Sequence, residues 1–490
     1  MRRCAPGVAE RQARDRDPGN ARAAAARPAA GMGHAERSFQ GLKDGHHENE
    51  FPARRLAPRA MRIALISEHA SPLASLGSVD AGGQNVYVDK VARMLARRGH
   101  RVDVVTRRDD PSLAPIVELE PRARVIHIDA GPPRFVAKEA MLEHMPEFSA
   151  ALMGRVDAST PYDLVHANFF MSGLVALQLR ASFGIPTVMT FHALGEVRRR
   201  HQGAADGFPG ERLEIERRIV STAERIIAEC PQDEIDLVDL YGADRERIAI
   251  VPCGVDLDEF APGDRAVARR DLGFDESEFI VLQLGRMVPR KGIDNVIRAL
   301  AQLRGCRAAR LVIVGGDAAP AGRLRSDEMQ RLVDLADACG IADRVSFAGH
   351  RRRSELAAYY AACDVFVTTP WYEPFGITPL EAMASARPVI GSDVGGIRYS
   401  VVDGVTGFLV PPRDPAALAD RLVQLHDDPP LARAMGRAGA RRVRTHFTWD
   451  RVAEELELVY EAVLAETAPA ARRRRRAFAA VEGLQARRAA

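Results

Sequence analysis

Short apolar segments alternate with helical patterns along this chain, from residue 61 to about residue 465. An apolar run bounded by turn residues is typical of a parallel strand that helices cover on both faces. Such runs in the first half of the chain are residues 62–66, 102–105, 125–128, 164–166, 187–190, 225–228 and 248–251. Residues 87–98, between the first two runs, have apolar side chains at helical spacing. This alternation predicts a parallel sheet with helical crossovers.

A second series of the same kind follows a break in the pattern. The break lies near residues 253–275, where Pro-Cys-Gly and Pro-Gly sequences interrupt the chain, and we predict a linker there. The later strand candidates are residues 280–284, 311–314, 345–347, 365–368 and 388–392, and a closing helix is predicted at 449–465. We therefore predict an α/β fold of two Rossmann-like, doubly wound parallel-sheet domains that face a cleft. Ligands in such folds bind outside the carboxyl ends of the strands.

Five segments make up the predicted organisation. They are an N-terminal extension at 1–60, a first domain at 61–255, a second domain at 275–445, a closing helix at 446–466 and a basic tail at 467–490. The extension and the tail lack apolar periodicity, and we predict that both are disordered. Ordered sequence begins abruptly at Met61, which makes that residue an alternative natural start.

Composition argues against several classes of protein. The formal net charge of +3 does not favour a nucleic-acid binder. The six cysteines are scattered without metal-ligand spacing, which fits the reducing cytoplasm. No apolar run approaches the ~18 residues of a membrane span. The five arginines at 472–476 could attract an anionic membrane surface, but a solvated tail is the favoured interpretation. The oligomeric state stays open.

Residues 371–384, WYEPFGITPLEAMA, follow a predicted strand and lead into a predicted helix. Their Pro and Gly residues suit a tight turn, and Thr378 is a candidate helix cap. The backbone N–H groups at such a helix start suit an anion such as a diphosphate. Glu373 and Glu381 stand at the two ends of the turn, where carboxylates can accept hydrogen bonds from sugar hydroxyls. Taken singly, either glutamate could instead be solvated or favour the helix dipole.

Residues 285–292, GRMVPRKG, come directly after another predicted strand. Arg286 and Lys291 could grip a diphosphate together. The chain has only four lysines, so a compact point charge at Lys291 is notable. A solvated loop charge is the alternative.

Two further motifs lie at strand ends in the first half of the chain. Gly82 and Gly83 follow the first strand, and paired glycines let a backbone approach a ligand closely. They do not form the G-x-G-x-x-G dinucleotide fingerprint. His192 follows the strand at 187–190, where an imidazole can hydrogen-bond a sugar hydroxyl. A lone histidine is more often structural, but its place at a strand end predicts that it faces the cleft.

Together these motifs resemble the retaining nucleotide-sugar glycosyltransferases of family 4, also called group 1. The spacing of Glu373 and Glu381 matches that family's E-x7-E signature, and residues 285–292 match its G-R-x4-K-G motif. The resemblance covers about 61–460 and implies a GT-B fold with an N-terminal acceptor domain and a C-terminal donor domain. Within the family, residues 80–87 are similar to inositol-phosphate glycosyltransferases and to sucrose-phosphate synthases.

The resemblance implies a role for each residue on the donor side. Arg286 and Lys291 neutralise the donor diphosphate, which makes them catalytic together with His192 and Glu373. Glu373 holds hydroxyls of the transferred sugar, and His192 lies beside that sugar. The other implied donor contacts are Gly83, Phe375, Gly376, Ile377 and Glu381, of which the last binds the ribose.

The acceptor side is less constrained. The resemblance implies that Asn85, Lys138 and Arg212 bind the acceptor, the last two at a phosphate. Phe169 and Ala193 stand where a tyrosine and a threonine are usual in the inositol-phosphate enzymes, so two hydroxyls are missing. We expect a small phosphorylated or otherwise anionic sugar or polyol. The alternative is that the arginines of this region form a solvated face.

The expected reaction is transfer of a hexose from a nucleotide-sugar, with UDP as the expected nucleotide, and with retention of configuration. The resemblance implies that the departing phosphate takes the acceptor proton, so no protein base, metal or further cofactor is required. The two Asp-x-Asp sequences, at Asp15 and at Asp256, lie in the extension and the linker and are not predicted metal sites. The rival functions are a nucleotide-sugar epimerase on the same architecture and a non-catalytic sugar-nucleotide-binding protein.

Overall fold

The computed structural model describes residues 59–74, 82–157, 159–303, 308–316 and 326–468. All of them belong to one compact unit. Residues 1–58 and 469–490, which hold most of the predicted extension and tail, lie outside the described part of the chain. Among the described residues, no helix is both long and apolar enough to cross a bilayer.

An eight-stranded sheet forms the first domain. Its strands are β1 (Arg62–Ile66), β2 (Arg101–Arg107), β3 (Ile116–Glu120), β4 (Ala123–Ile128), β5 (Leu164–Asn168), β6 (Thr187–Thr190), β7 (Arg225–Ala228) and β8 (Ile248–Ile250). The order is β3-β4-β2-β1-β5-β6-β7-β8, and only the edge pair β3–β4 is antiparallel. The helices are α1 (Gly83–Arg97), α2 (Met145–Met153), α3 (Phe170–Phe183), α4 (Gly195–Gln202), α5 (Glu211–Thr222) and α6 (Pro231–Tyr241).

A six-stranded parallel sheet forms the second domain, in the order β11-β10-β9-β12-β13-β14. Its strands are β9 (Phe279–Leu284), β10 (Ala309–Val314), β11 (Val345–Gly349), β12 (Val365–Thr368), β13 (Val389–Ser392) and β14 (Gly407–Val410). Six helices precede or connect them: α7 (Arg265–Leu272), α8 (Ile293–Gln302), α9 (Asp327–Ala338), α10 (Arg353–Ala362), α11 (Ile377–Ala384) and α12 (Gly395–Ser400). Three more follow the last strand, α13 (Pro415–Asp427), α14 (Pro429–His446) and α15 at 449–468.

Apolar side chains cover both faces of these sheets, as doubly wound folds require. Along β1, Ile63 and Leu65 join one hydrophobic cluster, whereas Ala64 and Ile66 join another on the opposite face. The prediction of two doubly wound parallel-sheet domains is therefore confirmed.

Two edge strands were missing from the sequence prediction, and one helix lies where a linker was predicted. Strand β3 is half-exposed and carries acidic residues, so it lacks the apolar run of a buried strand. Strand β14 is only four residues long and begins at a glycine. Helix α7 lies inside the segment predicted as a linker. Its several arginines are typical of a solvent-exposed segment, so its sequence did not indicate a packed helix. Arg269 is nevertheless buried, because its guanidinium donates to Ala362 O and pairs with Asp364 at 2.6 Å.

Helix α15 carries the end of the described chain back to the first domain. Tyr460 OH lies 2.6 Å from His166 Nδ1, at the centre of the first sheet. Glu457 pairs with Arg98 at 2.6 Å, at the end of α1. The chain therefore crosses between the domains twice, once after β8 and once before α15, and these crossings hold the two sheets on either side of a cleft.

Candidate active site

The loops at the carboxyl ends of the two sheets approach each other across the cleft. A Cβ atom built on Gly83, at the start of α1, would lie 3.6 Å from Ile377 Cδ1, at the start of α11. Cys230, which precedes α6, donates its thiol proton to Pro374 O at 3.3 Å. The Gly-Gly loop and the turn between the two glutamates therefore face each other, as expected for strand-end motifs.

Lys291 and Glu373 form an ion pair in this cleft. Lys291 Nζ lies 2.5 Å from Glu373 Oε2, and the two side chains are only 17% and 12% exposed. Burial lowers the pKa of Lys291 to about 8, against the attraction of Glu373. Burial alone would raise the pKa of Glu373, but the charges of Lys291 and Arg290 outweigh it and hold that pKa below its usual range. The pair is therefore ionised at neutral pH, and its cation is unusually easy to deprotonate.

Arg286 joins the same cluster. Its charge acts on both Lys291 and Glu373. Its Nε atom lies 4.0 Å from the position that a Cβ would take on Gly82. The structure thus places both predicted diphosphate-binding cations beside the first glutamate and beside the Gly-Gly loop.

Two glycines fix the backbone of this cluster by close approach. Gly292 has φ 64, and a Cβ there would clash with Thr369 O. Gly395 has φ 45, and a Cβ there would clash with the carbonyl oxygen of Glu373. A side chain at either position would push apart the segments that carry Lys291 and Glu373, so both residues need to be glycine.

The prediction that Thr378 caps helix α11 was wrong, because the helix begins at Ile377, two residues before the start that a cap at Thr378 would give. Gly376 occupies the cap position, Ile377 is the first helical residue, and no side chain caps the helix. Pro379 is accommodated at the third helical position because its missing N–H would have no partner in the first turn. The uncapped N–H groups near 375–377 are therefore the donors that an anion would meet.

Glu381 lies at the other end of the turn and is held by a chain of charges. It is buried, and its carboxylate accepts from Arg353 Nη1 at 3.1 Å and from Tyr360 OH at 2.9 Å. Burial raises its pKa, although Arg353 and Tyr360 oppose the shift. Arg353 also pairs with Glu259 at 2.5 Å, and Glu259 pairs with Lys90 at 3.0 Å. The second glutamate is thereby linked through the crossover segment to helix α1.

His192 lies at the carboxyl end of β6, on the first-domain side of the cleft. Its Nδ1 is 3.0 Å from Glu229 Oε1, and its Nε2 is 2.9 Å from Asn168 Oδ1. The ring of Tyr87 lies edge-on to the imidazole, with centroids 4.9 Å apart. His192 has φ 57, which is rare for a residue other than glycine and which concentrates at functional sites.

Asn85 and Lys138 already have contacts within the chain. Asn85 is buried, donates from Nδ2 to Ser71 O and accepts from Gly82 N, both at 2.9 Å. Lys138 Nζ lies 3.9 Å from Glu139 Oε1, in a short 3₁₀ turn. Their implied contacts with an acceptor stay predictions.

Arg212 is more enclosed than a surface phosphate ligand would be. Its Nε donates to Glu216 Oε1 at 2.7 Å, and its Nη2 donates to Ala193 O at 2.5 Å. Its Nη1 is buried and has no hydrogen-bond partner among the described residues. Three rings lie 4.4–5.0 Å from the guanidinium, those of Phe169, Phe170 and Phe208. The Arg212 guanidinium therefore has one N–H donor group, Nη1, without a partner among the described residues, and three aromatic rings pack against it.

Three cleft residues were missed by sequence reasoning. Arg353 follows β11, and Glu229 follows β7. His69 follows β1, and its Nδ1 lies 2.8 Å from the buried Glu68 carboxylate. Each stands within four residues of the end of a strand, so a systematic search of the segments after strands could have found them. Within the described part of the chain, no group of three or more His, Cys, Asp or Glu side chains could hold a metal ion.

Family comparisons agree with this geometry. A family model described as "Glycosyltransferase Family 4" matches residues 81–259, and one described as "Glycosyl transferases group 1" matches residues 264–442. The fold and the site define a two-domain glycosyltransferase of the GT-B type. The chain belongs to the group 1, family 4 glycosyltransferases, and the epimerase and non-catalytic alternatives are set aside.

Individual relatives refine the comparison. The chain is 38% identical to a D-inositol 3-phosphate glycosyltransferase from Geodermatophilus obscurus, over 86% of this chain and 94% of the relative. Among solved structures, it is similar to sucrose-phosphate synthase from Thermosynechococcus elongatus, with 36% identity, a TM-score of 0.76, and coverage of 83% of this chain and 100% of that one. HepE from Anabaena, solved in complex with UDP-glucose, shares the fold at 21% identity and a TM-score of 0.64, over 84% of this chain and 100% of that one.

Proposed function

We propose that the enzyme transfers a hexose from a UDP-sugar to a hydroxyl of a small acceptor, with retention of configuration. The observation that carries the proposal is the buried Lys291–Glu373 pair beside Arg286, next to the uncapped start of α11. Buried cations beside free backbone N–H groups suit a diphosphate. The UDP-glucose complex of HepE supports a uridine nucleotide for this fold.

In this proposal each residue of the cluster has one task. Arg286 and Lys291 neutralise the diphosphate and the charge that grows on it as the sugar departs. Glu373 and the amides near 375–377 hold the transferred hexose, and Glu381 accepts hydrogen bonds from the ribose. Gly83 lets the N-terminal loop lie against the donor.

The proposed transfer takes place on one face of the sugar. The bond from the anomeric carbon to the diphosphate breaks, and the acceptor oxygen bonds to the same face. The acceptor proton passes to the departing phosphate oxygen, so the scheme requires no metal, further cofactor or protein base.

The cysteines at 230, 253, 339 and 363 are free thiols, which suits a reducing compartment, and we place the enzyme in the cytoplasm.

The pH dependence of donor use should report on Lys291. Its pKa of about 8 means that the charged form is lost as the pH rises through that value. Only the protonated amine neutralises a diphosphate, so kcat/KM for the donor should fall on the alkaline side. Profiles from about pH 6 to about pH 10 would compare wild type with Lys291→Arg, whose guanidinium stays charged throughout. The alkaline fall in kcat/KM should be absent from the Lys291→Arg variant. If wild type and variant show the same fall, the group that loses its proton is not Lys291.

We propose a phosphorylated sugar or polyol as the acceptor. The spare Nη1 donor of Arg212 supports this choice, because a buried guanidinium N–H without a partner favours an anion. A phosphorylated acceptor should therefore show kcat/KM at least about tenfold higher than its neutral counterpart. Equal or better use of neutral sugars by the purified enzyme would contradict the proposal.

Inositol 3-phosphate should be a poor member of that acceptor class. Phe169 and Ala193 supply no hydroxyl where the inositol-phosphate enzymes resembled here have one. The double variant Phe169→Tyr, Ala193→Thr should raise kcat/KM for inositol 3-phosphate by about tenfold or more, since each hydrogen bond to a charged group contributes about 1.5–3 kcal/mol. Wild-type activity on inositol 3-phosphate above that on all other phosphates tested would overturn this specificity.

A further inference from the structure

Both ring nitrogens of His192 face hydrogen-bond acceptors. Nε2 faces the side-chain oxygen of Asn168, at 2.9 Å, and Nδ1 faces the carboxylate of Glu229, at 3.0 Å. A neutral imidazole has only one N–H to donate, whereas an imidazolium has two. The protonation state of His192 can therefore be assigned from its two partners.

The amide of Asn168 is oriented by the backbone around it. Its Nδ2 donates to Ile66 O at 3.3 Å and to His166 O at 3.4 Å, and carbonyl oxygens can only accept. The oxygen of the amide must then point at His192. His192 consequently donates from Nε2.

Glu229 supplies a buried negative charge on the other side of the ring. It is 3% exposed, and it accepts from Cys253 Sγ at 3.0 Å as well as from His192. Burial would raise its pKa, but the charge and the hydrogen bond of His192 outweigh burial and lower that pKa. Asp233 is also buried, and burial together with the charge of Glu229 raises the pKa of its carboxyl well above the usual value.

Three further buried groups beside His192 or Glu229 are uncharged at neutral pH. Tyr87 and Cys253 are buried, and burial raises the pKa of each well above its usual value. His166 is buried, and burial lowers its pKa to about 3, so it is neutral. Glu229 is thus the counter-charge that balances His192 on the first-domain side of the cleft.

We infer that Glu229 is the positioning residue of His192 and holds it as an imidazolium with both N–H groups committed. This inference rests on the proposed transfer reaction for its effect on catalysis. With no lone pair on either ring nitrogen, His192 cannot take the acceptor proton. It presents a ring of fixed orientation and a positive charge to the donor sugar. This role agrees with the proposed reaction, in which the departing phosphate takes the acceptor proton.

This arrangement places two ion pairs on opposite sides of the cleft. Glu229 interacts electrostatically with Glu373, and its neighbour Cys230 donates to Pro374 O at 3.3 Å. Each carboxylate is balanced by a cation of its own domain, Glu229 by His192 and Glu373 by Lys291. The balance removes a repulsion that would otherwise oppose closure of the cleft.

The first measurement is the imidazole ¹H–¹⁵N spectrum of the full-length protein at about pH 7, where an imidazolium and each neutral tautomer give distinct patterns. The His192 signal is identified by its loss in His192→Asn. The inference predicts an imidazolium in wild type and a neutral ring in Glu229→Gln, which keeps the shape of the side chain. A bare ring nitrogen in wild type would overturn the inference, whether or not the enzyme transfers sugar.

The second measurement is a double-mutant cycle on transfer. Glu229→Gln should lower kcat about 10–100-fold with donor KM changed less than about threefold, and adding it to His192→Asn should have no further effect. Glu224→Gln makes the same change at the opposite end of β7, where Glu224 pairs with Arg180 at 2.7 Å, and should leave kcat unchanged. If the losses of kcat in Glu229→Gln and His192→Asn instead multiply in the double variant, Glu229 does not act through His192.

Discussion

Replacement of Lys291 by methionine is expected to lower kcat about 10³-fold while the protein stays folded. Methionine keeps the length of the side chain but removes the cation that lies 2.5 Å from Glu373. Loss of one preorganised group that stabilises transition-state charge typically lowers kcat about 10²–10³-fold, and a full cation in a buried site stands at the upper end of that range. Arg290, 3.5 Å from Glu373, remains to balance the carboxylate and limits the loss of stability.

Initial rates of transfer and of slow donor hydrolysis would measure this effect, with thermal unfolding as the test of folding. The matched control is Arg97→Met, which removes a cation from a half-exposed pair with Glu120 on the surface of α1. Surface pairs contribute about 0–1 kcal/mol to stability, so the control should keep full activity. A Lys291→Met enzyme within about tenfold of wild type would show that the diphosphate is neutralised elsewhere.

Replacement of Glu381 by alanine is expected to raise the donor KM about 10²-fold or more. A carboxylate that accepts two hydroxyls gains about 1.5–3 kcal/mol from each hydrogen bond. The change also removes one of the two carboxylates that pair with the partly buried Arg353 and leaves it paired with Glu259, so some stability is lost as well. Both effects follow from the same buried carboxylate.

Glu381→Gln separates these two effects. The amide keeps an oxygen for Tyr360 and for one hydroxyl but gives up the charge that holds Arg353. Its donor KM should lie between those of wild type and Glu381→Ala, and calorimetric binding of the free nucleotide diphosphate should follow the same order. If Glu381→Ala loses stability but keeps the wild-type KM, the second glutamate is structural and the ribose is held by another group.

The buried parts of the fold could be predicted from sequence because the pattern of apolar residues differs between elements. Buried strands are short continuous apolar runs, and helices have apolar residues at helical spacing. Strands β1, β6, β7 and β12 have the predicted bounds. Strand β3 and helix α7 escaped prediction for the opposite reason. Their polar residues make contacts that only the tertiary structure reveals, as the buried guanidinium of Arg269 illustrates.

The clustering of the candidate donor-side residues was predictable because they lie in two short motifs that each follow a strand. Arg286, Lys291 and Glu373 were named from these motifs and the family resemblance that the motifs carry, although the Lys291–Glu373 ion pair could not be predicted. Glu229 and Arg353 were not recognised because a single charged residue at a strand end has no spacing pattern. Their importance comes from burial and from their partners, and sequence order carries neither.

The measurement that tests the central proposal most directly is a donor screen by thermal shift and transfer, run with Lys291→Met and Glu381→Ala beside wild type. A ligand at 100 times its dissociation constant stabilises a folded protein by about 2.7 kcal/mol, which such a screen detects readily. A UDP-hexose should stabilise the wild type and be consumed with retention at the anomeric carbon, while both variants lose the stabilisation. If no nucleotide-sugar stabilises the wild type, or if both variants respond as it does, the proposed donor site is wrong.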